Sequence, residues 1–157
     1  MVKLRRIEER DNQIIGEIVQ QSLKEEGLDI PGTAYFDPYL FSLFDYYEKE
    51  NREYWVLEKD GEVIGGIGVG PFDEEKGIGE IQKLYIVKAE RGQGYAHKLV
   101  NRALEFGKER YDALYIETFA SLSDANHLYR QYGFEKLEEP LAGTEHSACD
   151  TWLLLEF

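Results

Sequence analysis

The chain has 157 residues, of which 43% are hydrophobic and 31% are charged, a balance typical of one soluble globular domain. Its formal net charge of −13 repels nucleic acid and anionic lipid, so neither is expected as a partner. The single cysteine, Cys149, excludes an intrachain disulfide. No apolar run approaches the roughly 20 residues that cross a bilayer. We therefore expect one domain over residues 1–157, located in the cytoplasm, with no membrane contact.

Short apolar runs bounded by turn residues predict seven strands. In chain order, they are residues 4–7, 54–58, 63–69, 80–87, 113–118, 134–137 and 149–157. The pair Asp60-Gly61 supplies a hairpin turn between the second and third strands. The glycines of the third strand weaken it but permit close approach by another backbone. Residues 71–79 are predicted to be a polar connection.

Apolar residues at helical spacing predict four helices. They are a helix between a cap at Asp11 or Asn12 and Gly27, a helix after Pro38 in the aromatic segment 35–47, a helix with the apolar stripe Ala96 to Leu104, and a helix at 124–132. Ser123 is the expected cap of the last helix, and Gly133 can take the left-handed conformation that ends it. The order β-α-α-β-β-β-α-β-α-β-β predicts an α+β domain with a mixed sheet.

A glycine-rich loop, Arg91-Gly92-Gln93-Gly94-Tyr95-Ala96, lies directly between a strand and a helix. The first turn of a helix has free N–H groups and roughly half a positive charge from the helix dipole. Glycines let the backbone approach a phosphate closely. Residues 83–110 add seven basic side chains against three acidic ones. The loop therefore predicts an anion-binding site, although it lacks the Gly-Lys-Ser/Thr of a Walker loop and the third glycine of a dinucleotide fingerprint.

The loop also resembles a known signature. Arg91-x-x-Gly94-x-Ala96 is similar to the Arg/Gln-x-x-Gly-x-Gly/Ala motif of the GNAT superfamily of acetyl-CoA-dependent N-acetyltransferases. Leu84-Tyr85-Ile86 resembles that family's fourth strand, and Ala125-x-x-x-Tyr129-x-x-x-Gly133-Phe134 resembles its later helix and turn. The resemblance is strongest over residues 80–137, whereas residues 140–150 match only one bacterial subgroup, and loosely.

The resemblance implies a three-layer mixed α/β fold. A central, twisted and mostly antiparallel sheet of about seven strands would be flanked by about four helices. In the resembled family, strands 4 and 5 are parallel and splay apart, and the pantetheine arm of CoA lies between them.

The resemblance places the CoA pyrophosphate on backbone N–H groups of the loop, with Arg91 adding its charge. The implied residues are Arg91, Gly92, Gln93, Gly94, Tyr95 and Ala96. The pantetheine amides would pair with N–H groups at Leu84, Tyr85 and Ile86, one of which could polarise the thioester carbonyl. An asparagine that binds pantetheine in many members aligns with Ser121, a residue that can make fewer hydrogen bonds.

The implied reaction is direct attack of an amine on the thioester of acetyl-CoA, in a ternary complex and without a metal. Glu80 occupies the position where several members carry the general base, and Glu117 and His146 are the alternatives. Tyr129 matches the tyrosine that often hydrogen-bonds the CoA sulfur, and it could donate a proton to the leaving thiolate.

The acceptor is expected to be a primary amine of a small molecule or a protein. Its site would lie between the first two helices and the closing strands, and the acidic surface fits a cationic acceptor. The alternatives are a non-catalytic acyl-CoA sensor and an acyltransferase with another acyl-CoA donor. A homodimer is compatible with the resemblance, because many relatives pair through edge strands.

Overall fold

A seven-stranded sheet forms the centre of the computed structural model, which describes residues 1–157. Its strands are β1 (Val2–Arg6), β2 (Glu53–Lys59), β3 (Glu62–Asp73), β4 (Ile78–Ile86), β5 (Ala113–Thr118), β6 (Glu135–Leu137) and β7 (Thr151–Glu156). They lie in the order β1-β2-β3-β4-β5-β7-β6, and every neighbouring pair is antiparallel except β4 and β5. The predicted mixed sheet with parallel fourth and fifth strands is confirmed.

Helices cover both faces of this sheet. They are α1 (Asn12–Glu25), α2 (Leu43–Tyr47), α3 (Tyr95–Arg110) and α4 (Ser123–Gln131). Along β2, Tyr54 packs with α1 and α2, whereas the next residue, Trp55, packs with α3 and α4. This alternation follows from the two-residue period of a strand and creates two apolar cores, one on each face. None of the helices has the length and apolar character that a membrane crossing requires.

The helix predicted after Pro38 in the aromatic segment 35–47 is present, but it is shorter than expected. Turns follow Pro38, and the helix covers only Leu43–Tyr47. Before Pro38, Thr33 caps a single 3₁₀ turn at Ala34–Phe36. The Asp37 carboxylate, between this turn and the helix, forms a 2.7 Å ion pair with Lys83 of β4.

The predicted polar connection at 71–79 is wrong. Strand β3 continues to Asp73, a 3₁₀ turn occupies Glu74–Lys76, and β4 begins at Ile78. Cross-strand pairing overrides the weak strand propensity of the proline and glycines in this stretch. Glu80 consequently lies inside β4 rather than at its start.

The predicted ends of several elements differ from the structure by a few residues. Strand β1 covers Val2–Arg6, whereas the sequence predicts residues 4–7. The closing strands β6 and β7 begin at Glu135 and Thr151, whereas the sequence predicts that they begin at residues 134 and 149. Asp11 precedes α1 but does not cap it, because its carboxylate accepts hydrogen bonds from the Arg5 guanidinium and the Glu8 N–H.

The two ends of α4 show one wrong and one correct prediction. Ser123 is the first helical residue, and its side chain does not cap the helix. The Asn126 side-chain amide ties the helix to the preceding turn by donating hydrogen bonds to the carbonyls of Phe119 and Leu122. Gly133 has a φ of 96°, the left-handed conformation expected of the residue that ends this helix.

The glycines of β3 make room for two kinds of neighbour. A Cβ on Gly65 would lie 2.5 Å from the Tyr85 carbonyl oxygen, which fits the expected close approach of another backbone. A Cβ on Gly68 would lie 2.6 Å from the Tyr47 hydroxyl, so this glycine accommodates a side chain. Both positions lie where β3 runs beside β4, the strand that carries Glu80.

Candidate active site

The parallel strands β4 and β5 are hydrogen-bonded only at their first residues. Their pairing stops at Glu80, which lies opposite Tyr115, and beyond this point the strands separate. The edge of β4 from Ile81 to Ile86 therefore has no strand partner on the β5 side. A cleft opens there, and its walls come from α1, residues 33–34, β4, β5 and residues 146–149.

A β-bulge interrupts β4 directly after Gln82. Lys83 and Leu84 lie opposite the single β3 residue Ile67, and Lys83 has a φ of 50°. This left-handed conformation is uncommon for a residue with a side chain. The buried Tyr54 hydroxyl holds the bulge by donating a 2.8 Å hydrogen bond to the Lys83 carbonyl. The bulge changes the direction of β4 within the cleft.

Glu80 lies at the point where the two strands separate. Burial raises the pKa of its carboxyl to about 7, the nearby Glu117 carboxylate adds to the rise, and a hydrogen bond from Gln82 opposes it. The Gln82 amide nitrogen is 2.9 Å from a Glu80 carboxylate oxygen. A carboxylate with a pKa near neutrality can accept a proton at physiological pH.

Three charged side chains from separate parts of the chain meet beside Glu80. The Lys83 ammonium, with its side chain 2% exposed, lies 2.7 Å from Asp37, and a ring nitrogen of His146 lies 3.0 Å from the same carboxylate. Lys83 also lies over the Tyr39 ring, 5.0 Å from its centroid. The cluster connects β4 with the segment before α2 and with the loop between β6 and β7.

The contacts within this cluster shift the pKa values of Asp37 and His146. Burial alone would raise the pKa of the Asp37 carboxyl, but hydrogen bonding from His146 and the charge of Lys83 hold it below its usual value. Burial alone would lower the pKa of His146, yet the hydrogen bond and charge of Asp37 raise it above its usual value. The Asp37 carboxylate therefore stabilises the protonated form of the imidazole relative to a free histidine.

The other polar groups of the cleft are Glu117 and Cys149. The Tyr115 hydroxyl donates a 3.0 Å hydrogen bond to Glu117 and itself accepts one from the Leu141 N–H. Burial raises the pKa of the Cys149 thiol to about 12, so this thiol stays protonated and unreactive at neutral pH. No group of His, Cys, Asp and Glu side chains is arranged to hold a metal ion.

The glycine-rich loop lies at the start of α3 and is exposed from Arg91 to Gly94. Gly92 and Gly94 have φ angles of 78° and 81°, and Gly94 directly precedes the helix. A Cβ on either glycine would have no atom within 4 Å, so this face of the loop is open. An open face with free helical N–H groups fits a phosphate.

The Arg91 side chain contacts β4 and α1. Its guanidinium donates a 2.7 Å hydrogen bond to the Ile86 carbonyl and lies 3.3 Å from Glu25 and 3.4 Å from the Ser22 hydroxyl. Arg91 thus ties the loop to the end of β4 and to α1, which holds the loop in place.

Tyr129 lies on α4 within the core on the α3 side, 5% exposed, with its ring centroid 6.0 Å from that of Phe134. Burial alone raises the pKa of its phenol. Tyr129 does not line the cleft beside Glu80, but Tyr85 does. Ser121 is exposed in the turn before α4.

The structure thus brings four of the predicted residues into one cleft: Glu80, Tyr85, Glu117 and His146. The loop and Tyr129 are outside its lining.

Sequence reasoning missed Asp37, Gln82 and Lys83 as site residues. Gln82 could have been predicted to lie beside Glu80, because residues two apart on a strand share a face. The sequence around Asp37 gives no indication of its role.

Known proteins resemble this chain in sequence and in fold. Residues 17–134 match the Acetyltransferase (GNAT) family. The uncharacterized N-acetyltransferase YjgM of Escherichia coli is 38% identical over 156 residues, which span 98% of this chain and 93% of YjgM. The probable N-acetyltransferase camello of Xenopus tropicalis is 29% identical over 92 residues, 58% of this chain and 42% of camello. A GNAT acetyltransferase structure from Staphylococcus aureus Mu50 has a TM-score of 0.87 at 17% identity, over 99% of both chains.

The ion pair between Asp37 and Lys83 should contribute to the stability of the fold. Replacing Asp37 by asparagine leaves Lys83 buried without a counter-charge, and we expect a loss of about 3 kcal/mol in the free energy of unfolding. The variant Lys83→Met should lose less, because it leaves no buried cation. The double variant should lose less free energy of unfolding than the two single variants lose together, as measured by urea unfolding at pH 7. Additive losses would show that the two charges are not coupled.

Proposed function

Since this chain belongs to the acetyltransferase (GNAT) family, we propose that it transfers an acetyl group from acetyl-CoA to a primary amine of a small molecule or a protein. The observation that carries this proposal is Glu80, a half-buried residue whose carboxyl pKa is raised to about 7, at the point where β4 and β5 separate. A group of this kind can take up the proton that the attacking amine must lose.

The glycine-rich loop supports acetyl-CoA as the donor. The backbone N–H groups from Gly92 to Ala96 would hold the pyrophosphate, and the excess of basic residues at 83–110 complements its charge. The free edge of β4 at Leu84, Tyr85 and Ile86 would pair with the pantetheine amides, and Ser121 would lie near the arm. Bound acetyl-CoA supplies the activated acetyl group.

Glu80 is the best supported of the three candidate bases. A ring nitrogen of His146 is engaged by the Asp37 carboxylate at 3.0 Å, which also raises the pKa of His146, and Glu117 accepts a hydrogen bond from Tyr115. Glu80 receives a hydrogen bond on one oxygen, which leaves the other oxygen for the amine or for a bridging water.

The walls of the cleft support a cationic acceptor. Segments 28–48 and 137–150 both border it, and together they carry eight acidic residues and no lysine or arginine. The buried cation of the cleft, Lys83, is paired with Asp37. A negative field of this kind attracts a positively charged amine and disfavours an anionic acceptor.

Tyr129 is our candidate general acid. The phenol has a raised pKa, and none of the hydrogen bonds within the protein engages its hydroxyl, so it could donate a hydrogen bond to the departing sulfur. Removal of the hydroxyl should therefore affect turnover more than binding.

Glu80→Gln should lower kcat at least about a hundredfold, because a glutamine amide cannot accept the proton. In the wild type, kcat/KM should rise about tenfold per pH unit below 7 and level off above it, since only the ionised carboxylate acts as base. Both are measured by free-thiol release from acetyl-CoA with a reactive amine. An active Glu80→Gln enzyme with an unchanged pH profile would exclude Glu80.

Tyr129→Phe should lower kcat about tenfold or more while leaving the acetyl-CoA dissociation constant nearly unchanged. The matched control is Tyr132→Phe, which removes a hydroxyl that contacts His97 at the protein surface. Turnover in Tyr129→Phe equal to that of the control would rule out the general-acid role.

Gly94→Ala should weaken acetyl-CoA binding about tenfold or more, because its Cβ projects into the open face of the loop and shifts the hydrogen-bonding N–H groups. Gly61→Ala is the control, since Gly61 also has a positive φ and an unobstructed Cβ position but lies in the distant β2–β3 turn. Both variants should lose about 1 to 2 kcal/mol of stability from the left-handed conformation. Equal acetyl-CoA affinities, measured by calorimetry, would contradict the loop assignment.

A further inference from the structure

We propose that Gln82 is a positioning residue for Glu80, and that Tyr47 fixes the orientation of the Gln82 amide. This relay of Tyr47, Gln82 and Glu80 rests on the proposed function for its catalytic meaning. Its geometry can be tested independently of catalysis.

The relay is a chain of two directed hydrogen bonds. Gln82 follows Glu80 by two residues on β4, so both side chains project from the same face. The Gln82 amide nitrogen lies 2.9 Å from Glu80 Oε1, and the Tyr47 hydroxyl lies 2.6 Å from Gln82 Oε1. An ionised carboxylate can only accept hydrogen bonds, so a flipped amide would turn its oxygen toward the carboxylate and lose this contact. Donation by Tyr47 to the amide oxygen keeps the amide nitrogen facing Glu80.

Tyr47 is itself held rigidly. It is 2% exposed, and its ring packs edge-on against Tyr46 at 4.8 Å and beside Tyr54 at 5.3 Å between ring centroids. A side chain locked by packing can orient a partner without a large loss of conformational entropy.

The facing strand leaves space for the relay. Gly70 of β3 pairs with Glu80, and Gly68 pairs with Gln82. A Cβ on Gly70 would lie 3.0 Å from Gln82 Oε1, and a Cβ on Gly68 would lie 2.6 Å from the Tyr47 hydroxyl. Two glycines opposite the two relay residues of β4 allow the side chains to lie over β3.

The relay has two consequences for Glu80. It engages Oε1 and leaves Oε2 without a hydrogen bond from the protein. It also favours the ionised carboxylate, and so it opposes the burial that raises the pKa of Glu80 to about 7. Without Gln82, a smaller fraction of the enzyme would carry an ionised base at neutral pH.

The test uses Gln82→Met, which keeps a similar volume but has no donor, and Tyr47→Phe, which removes only the hydroxyl. Gln13→Met is the control, because Gln13 makes a glutamine-to-glutamate hydrogen bond of 2.9 Å to Glu17 on the exposed face of α1. The readouts are the pH dependence of amine-dependent thiol release and the titration of the Glu80 carboxyl carbon by NMR.

We expect the acid limb of kcat/KM to move up by about 0.5 to 1 pH unit in Gln82→Met, and by less in Tyr47→Phe. Activity should be regained at high pH, KM for acetyl-CoA should be unchanged, and Gln13→Met should match the wild type. The Glu80 titration should move by the same amount as the acid limb.

Two outcomes would overturn the relay: an unmoved Glu80 titration in Gln82→Met, or a loss of activity that is equal at every pH. If the titration moves while the rate does not follow it, the relay stands and the assignment of Glu80 as base fails. The failure of the relay and the failure of the proposed function are therefore distinguishable.

Discussion

The separation of β4 from β5 after Glu80 is the constraint on which the rest of the site depends. Parallel strands normally continue their hydrogen bonding along their length, but here pairing stops after three residues of each strand. The bulge at Lys83, held by Tyr54, changes the direction of β4 where the gap opens. The gap supplies a free backbone edge, exposes Glu80 to the cleft, and leads toward the loop at the start of α3.

Charge is divided along the chain. The stretch that contains the glycine-rich loop is basic, whereas segments 28–48 and 137–150, which border the cleft, are acidic. Glu80 lines the same cleft, and its pKa depends on the balance between burial and the hydrogen bond from Gln82. The buried cluster of Lys83, Asp37 and His146 joins the two acidic segments to β4 without leaving an unpaired cation in the cleft. The Lys83–Asp37 ion pair thus contributes to fold stability and, under the proposed function, leaves no free cation of the cleft to repel a cationic acceptor.

Local pattern was sufficient for most of the fold. The order of the elements and the place of the Arg91–Ala96 loop before a helix could be predicted because each depends on neighbouring residues or on a short motif. Glu80 was indicated by the family resemblance, and the structure places it in the cleft. Asp37 could not be predicted, because its role arises from a contact with Lys83 across 46 positions of the sequence. The glycines of β3 suggested a close approach, but only the structure shows that Tyr47 and Gln82 fill that space.

The most direct measurement is free-thiol release from acetyl-CoA by the wild-type enzyme, over a panel of amines that differ in charge, with acetyl-CoA binding measured by calorimetry on the same sample. We expect binding together with thiol release that requires an amine and is fastest for amines carrying additional positive charge. Binding without amine-dependent release across the panel would contradict the proposed transfer. The absence of acetyl-CoA binding would contradict the role of the glycine-rich loop as well.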